Sequence, residues 1–269
     1  MKLRLMGLSV GVATAAVAVF ACGVDEPEPQ CVVARASIDG STGSFAATYT
    51  LKPGQNPDQQ CARLKPERVG LQKYFGETPS APDSVAVRSA RLGKLGRDFA
   101  STRPDPDPTH ATYSVGPFAS EAPGPDNFCN VPTLTPSRLD VPATAPGLPD
   151  GGVQPDGGPP AQAAQTFTYE WSNLRIYNSP GTPGTQFTAE LRYTENGCTA
   201  EYSAKGIWPV VTCGLSDGGV NEVACDPYAN FDAGRLRGSG INPIFPVKCD
   251  PDALICVLTG EVPSEQQQP

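Results

Sequence analysis

The chain is poor in the residues on which most enzymes and metal sites draw. It has one histidine, His110, among 269 residues, and none of its nine cysteines forms a Cys-x-x-Cys pair. A zinc site needs such close pairs or several histidines, so no metal site and no cofactor site is expected. Basic side chains are also scarce, 20 against 28 acidic, for a net charge of −8. That disfavours nucleic acid and anionic headgroups as partners, since both require basic patches. No apolar run reaches the roughly twenty residues that a spanning helix wants. Long helices have little room, because 30 prolines and 28 glycines fill about a fifth of the chain, against an average nearer 12%.

What is present begins at the N-terminus. Lys2 and Arg4 precede an apolar stretch from Leu5 to Phe20, the form of an export signal. The tetrapeptide Val19-Phe20-Ala21-Cys22 resembles the bacterial lipobox, with Phe20 bulkier than the residue usual in that slot. Cys22 is then the lipid acceptor. Its sulfur is alkylated with diacylglycerol, the chain is cut before it, and the freed amine takes a further chain such as palmitate. Each buried methylene contributes about 0.8 kcal/mol, so more than one chain makes a lasting anchor. The alternative is a plain signal peptide whose Cys22 joins a disulfide.

Cysteine arithmetic favours the lipid. Besides Cys22 there are Cys31, Cys61, Cys129, Cys198, Cys213, Cys225, Cys249 and Cys256, and nine is an odd number. An exported protein would be left with one reactive thiol; with Cys22 acylated, eight remain for four disulfides of open connectivity. Removing residues 1–21 leaves 18 basic and 28 acidic side chains, a net charge of −10. Lipid, not charge, has to hold such a protein to a membrane.

The organisation expected is a lipoprotein signal over 1–21, the lipidated cysteine and acidic tether over 22–30, a first β half over 31–140, a flexible Pro/Gly-rich linker or loop over 141–165, a second β half over 166–260, and a disordered tail over 261–269. The fold class is all-β, an antiparallel β-sandwich of about 8 to 9 strands with long Pro/Gly-rich loops and disulfides. Two β-prone runs within 31–52 read as a hairpin around Asp39–Gly43. One or two helical turns fit Asn56–Leu64. Strands are expected over 68–75, 84–92 and 111–118.

Periodicity is clearest in the second half. Phe167, Tyr169 and Trp171 alternate with polar residues, and the pattern resumes with Leu174 and Ile176 after a shift near Asn173. Such a change of phase predicts a bulge. Phe187, Ala189, Leu191 and Tyr193 alternate likewise, as do Ala200, Tyr202 and Ala204. Asn196-Gly197 between them marks a hairpin tip. Aromatics sharing one face at strand spacing read as core.

Four stretches, VGLQKYFG (69–76), VAVRSARLG (85–93), YEWSNLRIYNSPGTPGTQFTAELRYTENGCTAEYSAKGIWP (169–209) and RGSGINPIFPVKC (237–249), resemble the myxobacterial lipoproteins of the MlpA type. The resemblance implies a lipid-anchored protein of the cell envelope, held at the outer membrane, and brings no catalytic residues with it. Gly23 after the lipidated cysteine agrees with outward sorting under the enteric rule.

Catalytic signals are weak, and no catalytic residue is expected. Gly214-Leu215-Ser216-Asp217-Gly218 fits G-x-S-x-G, but a nucleophile elbow requires a following helix and a later histidine, and neither is found. His110 with Asp105 and Asp107 lies in a Pro-Asp loop. Asp250/Asp252, Asp226 and Asp232 are the oxygen type that calcium takes, without its spaced loop. Arg235–Gly240 lacks the lysine and helix of a phosphate cradle. The favoured reading is a non-enzymatic, lipid-anchored envelope protein that contacts an envelope protein or matrix polysaccharide. Its alternative is an envelope hydrolase acting on polysaccharide through two carboxylates roughly 5 to 10 Å apart in a cleft.

Overall fold

Alternating apolar side chains need two walls facing one core, and the chain supplies both from one sheet. The computed structural model describes residues 28–35, 43–78, 80–100, 111–143 and 163–264. Cys22, His110, Asp105 and Asp107 lie outside the described residues, as do the Asp39–Gly40 tip of the expected first hairpin and most of 141–165.

Nine antiparallel strands form the main sheet: β1 Gly43–Leu51, β2 Glu67–Tyr74, β3 Ser84–Ser89, β4 Ser114–Pro117, β5 Phe128–Thr133, β6 Ser137–Val141, β7 Gln165–Ser179, β8 Thr182–Glu195 and β9 Cys198–Ile207. Their order is β4-β3-β2-β1-β9-β8-β7-β5, with β6 also paired to β7. Strands from both sides of residues 141–165 therefore share one sheet. It curls until its edges nearly meet. Thr135 N–H donates to the Val115 carbonyl at 2.9 Å and Ala119 N–H to that of Asn130 at 2.8 Å. The result is all-β and antiparallel, with the expected number of strands, its opposite walls facing each other across the core. Pro117 and Pro132 sit on the edge strands β4 and β5, where a missing N–H is tolerated.

The strongest periodic segments fold as their sequences predict. Phe167, Tyr169, Trp171, Leu174 and Ile176 are all buried, and the register of β7 against β8 shifts between Ser172 and Arg175, where Asn173 has φ +48°. Asn196 and Gly197, with φ +52° and +82°, turn β8 into β9. Both angles lie in the left-handed region that a two-residue hairpin turn demands.

Other segments differ from expectation. Val32–Arg35 is not a strand but irregular backbone laid across one end of the sheet. Cys31 N–H donates to Glu121 O at 2.7 Å, Ala34 N–H to Gly184 O at 3.0 Å, and Val32 N–H to Asn178 Oδ1 at 3.0 Å. Gly184, at φ +66°, lies so close that a Cβ there would collide with the Val32 carbonyl. The stretch 84–92 changes from strand to helix at Ala90, beginning α1, Ala90–Ala100, which buries Leu92 against the core. Of the turns expected in 56–64, one short 3-10 turn forms at Gln60–Ala62.

Residues 210–264 build an outer layer on the sheet, with two short strands, β10 Val247–Cys249 and β11 Cys256–Leu258. Ile241, Phe245, Ile255 and Val257 pack there against Ala46 and Ile207, which face outward from β1 and β9. The buried Gln186 secures its end, accepting from Ser264 N–H at 2.9 Å.

Four disulfides join Cys31–Cys129, Cys61–Cys198, Cys213–Cys249 and Cys225–Cys256. The first two, with sequence separations of 98 and 137, tie the irregular segment at Cys31 to β5 and the 3-10 turn at Cys61 to the start of β9, and the last two staple the outer layer. Non-reducing peptide mapping of the purified protein should recover these four pairs. A different pairing, or free thiols at any of the eight positions, would contradict the fold.

Candidate functional site

Two ends of the curled sheet differ in chemistry. At one end β2, β8 and α1 bring charged and phenolic side chains inside. Glu67 opens β2 in the same alternation as the buried Val69 and Leu71, so its carboxylate turns inward. Glu195 closes β8 in step with Leu191 and Tyr193 and is likewise buried. Arg91, in the first turn of α1, lies between them.

The Glu67 carboxylate accepts from Tyr49 Oη at 2.9 Å, Ser89 Oγ at 2.6 Å, Arg91 N–H at 3.1 Å and Tyr169 Oη at 3.4 Å. Glu195 accepts from Tyr193 Oη at 2.6 Å, the Arg91 guanidinium at 3.1 Å and Gln60 Nε2 at 3.2 Å. The guanidinium also donates to Tyr193 Oη at 2.8 Å and covers the Phe167 ring at 4.8 Å. Gln60 is held in place by the Cys61–Cys198 bridge and by Tyr202, whose hydroxyl donates to the Cys61 carbonyl at 2.5 Å. Tyr169 and Tyr193 pack edge to face, 4.9 Å between centroids.

Burial pushes the Glu67 carboxyl above its ordinary value of 4.5, against the lowering pull of its Ser89, Arg91 and Tyr49 hydrogen bonds. Burial and the neighbouring Glu67 charge likewise push the Tyr49 phenol well up. Fixed protein donors fill the acceptor positions of Glu67, which leaves little for a water nucleophile or a substrate proton. The arrangement suits a satisfied internal network better than an acid/base pair.

At the opposite end, Lys73 leaves β2 beneath Val32–Arg35. Its ammonium donates to the Cys31 carbonyl at 2.7 Å, pairs with Asp83 at 2.7 Å, and lies 5.1 Å from the Phe75 ring centre. The hydrogen bonds from Lys73 and from Gly76 N–H hold the Asp83 carboxyl below its ordinary range. A cleft of about 420 Å³ opens here, lined by Gln30, Phe75, Glu77, Thr78 and Glu121 among others.

The weak motifs resolve into turns. Gly214–Gly218 is a loop in which Leu215 N–H donates to Gly219 O at 2.8 Å, with a bridge from Gly214 to Val220 and no helix starting at Ser216. Asp250 accepts from the N–H groups of Asp252 and Ala253, and Asp252 pairs with Lys65 at 3.1 Å. Asp226 pairs with Arg235 at 2.6 Å, and Asp232 lies exposed in the following turn. The sulfurs of Cys213, Cys225 and Cys256 lie within 4.8 Å of one another, but each is already in a disulfide, so none is the thiolate a metal would take. Glu170 and Glu190 meet Arg192 and Lys52 on the solvent face, and Glu201 is exposed. Glu195, by contrast, faces inward.

Sequence reading missed Glu67, Arg91 and Gln60. The signal available was parity: an acid at an inward position of a strand whose other inward residues are apolar.

Replacing Glu67 by Ala strips Ser89, Tyr49 and the Arg91 amide of their acceptor and should cost roughly 2 to 4 kcal/mol. Glu67→Gln, whose amide can accept from one side and donate to the tyrosines, should cost much less. Because the folded state holds the Glu67 proton more tightly than the unfolded chain does, its contribution is fully present below 4.5 and is lost as pH rises through the folded value. Urea unfolding should therefore show the native protein gaining stability relative to Glu67→Gln between pH 7 and pH 4.5. A relative loss over that interval would contradict the burial of this carboxyl.

The sequence profile of the MlpA family matches residues 43–209, a span from the start of β1 to just beyond β9. The protein named "Putative lipoprotein MlpA" of Myxococcus xanthus is 29% identical over 253 residues, covering 90% of each chain. No solved structure matches. Because the profile takes in the whole main sheet and the relative aligns over most of both lengths, this chain belongs to the MlpA family.

Proposed function

We propose that this chain is an exported lipoprotein, cut before Cys22, acylated there with palmitate-type chains, and held at the outer membrane as a non-enzymatic surface or interaction protein. The observation that carries the reading is the pairing of the cysteines. All eight beyond Cys22 are joined to one another, and a sulfur at position 22 has no partner among them. Disulfides of this number belong to an oxidising compartment, which a lipobox-bearing signal over residues 1–21 reaches. The lipoprotein name of the Myxococcus xanthus relative supports the same reading. Among the described residues no helix is long and apolar enough to cross a membrane.

The hydrogen bonding of Glu67 and Glu195 speaks for a structural role and against a carboxylate-dependent hydrolase. Both are committed to protein donors and to Arg91. The function assigned is contact: the β surface, with the Pro-rich segment 141–165, meets another envelope protein or matrix polysaccharide. With a net charge of −10 after processing, nucleic acid is not a partner.

In bacterial cells expressing the full chain, Cys22→Ala should abolish labelling by radioactive palmitate and either release the protein from the membrane fraction or stall it as precursor. Undiminished labelling of that variant would refute the anchor.

A further inference from the structure

The end of the sheet from which the tether leaves is also where strand β2 exposes its aromatics. Phe75 is 77% exposed and Tyr74 53% exposed, large values for side chains that usually seek cover. Val32, 37% exposed, belongs to the same end, and Gln30, Val32 and Phe75 line one shallow cleft. The described chain starts there too, with Glu28, Pro29 and Gln30 exposed and Cys31 bolted to Cys129.

Chain length limits what this end can reach. Gln30 lies eight positions beyond Cys22, at most about 28 Å when fully extended. The fifteen residues of β7 run about 50 Å along the strand and, at a barrel-like tilt, about 38 Å from end to end. A tether shorter than the sheet keeps the Gln30 end nearest to whatever Cys22 is fixed in. Charge at this rim is of both signs, with Arg35 exposed beside Val32. Glu77 and Glu121 line it, and the Lys73 ammonium is already engaged by Asp83 and the Cys31 carbonyl. Beside those charges this end offers exposed apolar and aromatic surface, the chemistry that partitions into the headgroup zone of a bilayer. Tyr228, Phe231 and Leu236, also exposed, lie in the outer layer with no comparable tie to the tether.

We propose that Tyr74 and Phe75, with Val32 beside them, seat this end of the protein in the headgroup region of a zwitterionic bilayer, so that the anchored molecule stands with its Glu67/Glu195 end outermost. The proposal rests on the lipid-anchor reading.

The test uses the mature full-length protein, lipidated in cells and reconstituted into phosphatidylcholine vesicles with or without brominated acyl chains. Phe75→Trp and, separately, Tyr74→Trp report from the seated end. Asp58→Trp reports from the loop between β1 and β2 at the far end. The native Trp171 and Trp208 set the background. Vesicle flotation together with a loss of emission at positions 74 and 75 at least about twice that at 58 is the expected result. Flotation with equal quenching at 75 and 58 overturns the seating and leaves the anchor standing. Failure to float overturns both.

Discussion

The bond between Cys31 and Cys129 is the constraint on which the arrangement of this molecule turns. Val32–Arg35 has no strand partner and could not hold its place by ladder hydrogen bonds. One covalent link to β5, together with single hydrogen bonds to Glu121, Asn178 and Gly184, fixes it across the end of the sheet. A disulfide closing a loop of that size typically contributes several kcal/mol, far more than those hydrogen bonds would supply alone. With the segment fixed, the first described residues lie at that end of the sheet. The polar network around Arg91 lies at the other end.

How much of this could be read from the residues depended on how locally each feature is encoded. The long strands β7, β8 and β9 announce themselves, because period-two aromatics at Phe167–Trp171 and Phe187–Tyr193 permit no other structure, and Asn173 and Asn196-Gly197 carry their own backbone signals. Helix α1 was hidden by Gly93 and Gly96, residues of poor helix propensity that the helix nonetheless contains. β5 and β6 were hidden by Pro132 and by Pro136 before Ser137, acceptable only because these strands lie at an edge. Val32 and Val33 carry strong strand propensity, yet tertiary demand overrides it, since the closing position has no free neighbour with which to pair.

The inward carboxylates were legible in principle and missed in practice. Glu195 follows Leu191 and Tyr193 in phase, but its position beside Asn196-Gly197 made it look like part of a turn. Glu67 and Arg91 are 24 positions apart and meet only because β3 returns alongside β2 and the helix starts one residue later. Pairing of that kind lies in topology and not in any short motif. The family profile ends at residue 209, so the sheet with its network falls inside the shared region, while the first cysteine of the tether-end bridge and the stapled outer layer fall outside it.

The account stands most directly on the fixed position of the segment that follows the tether. Amide hydrogen exchange of the mature protein should find Cys31, Val32 and Ala34 protected well beyond the rate of a free chain. In a Cys31→Ser/Cys129→Ser variant that protection should be lost, while β8 and β9 stay protected. Free-chain exchange at Val32 and Ala34 with the bridge intact would contradict the account.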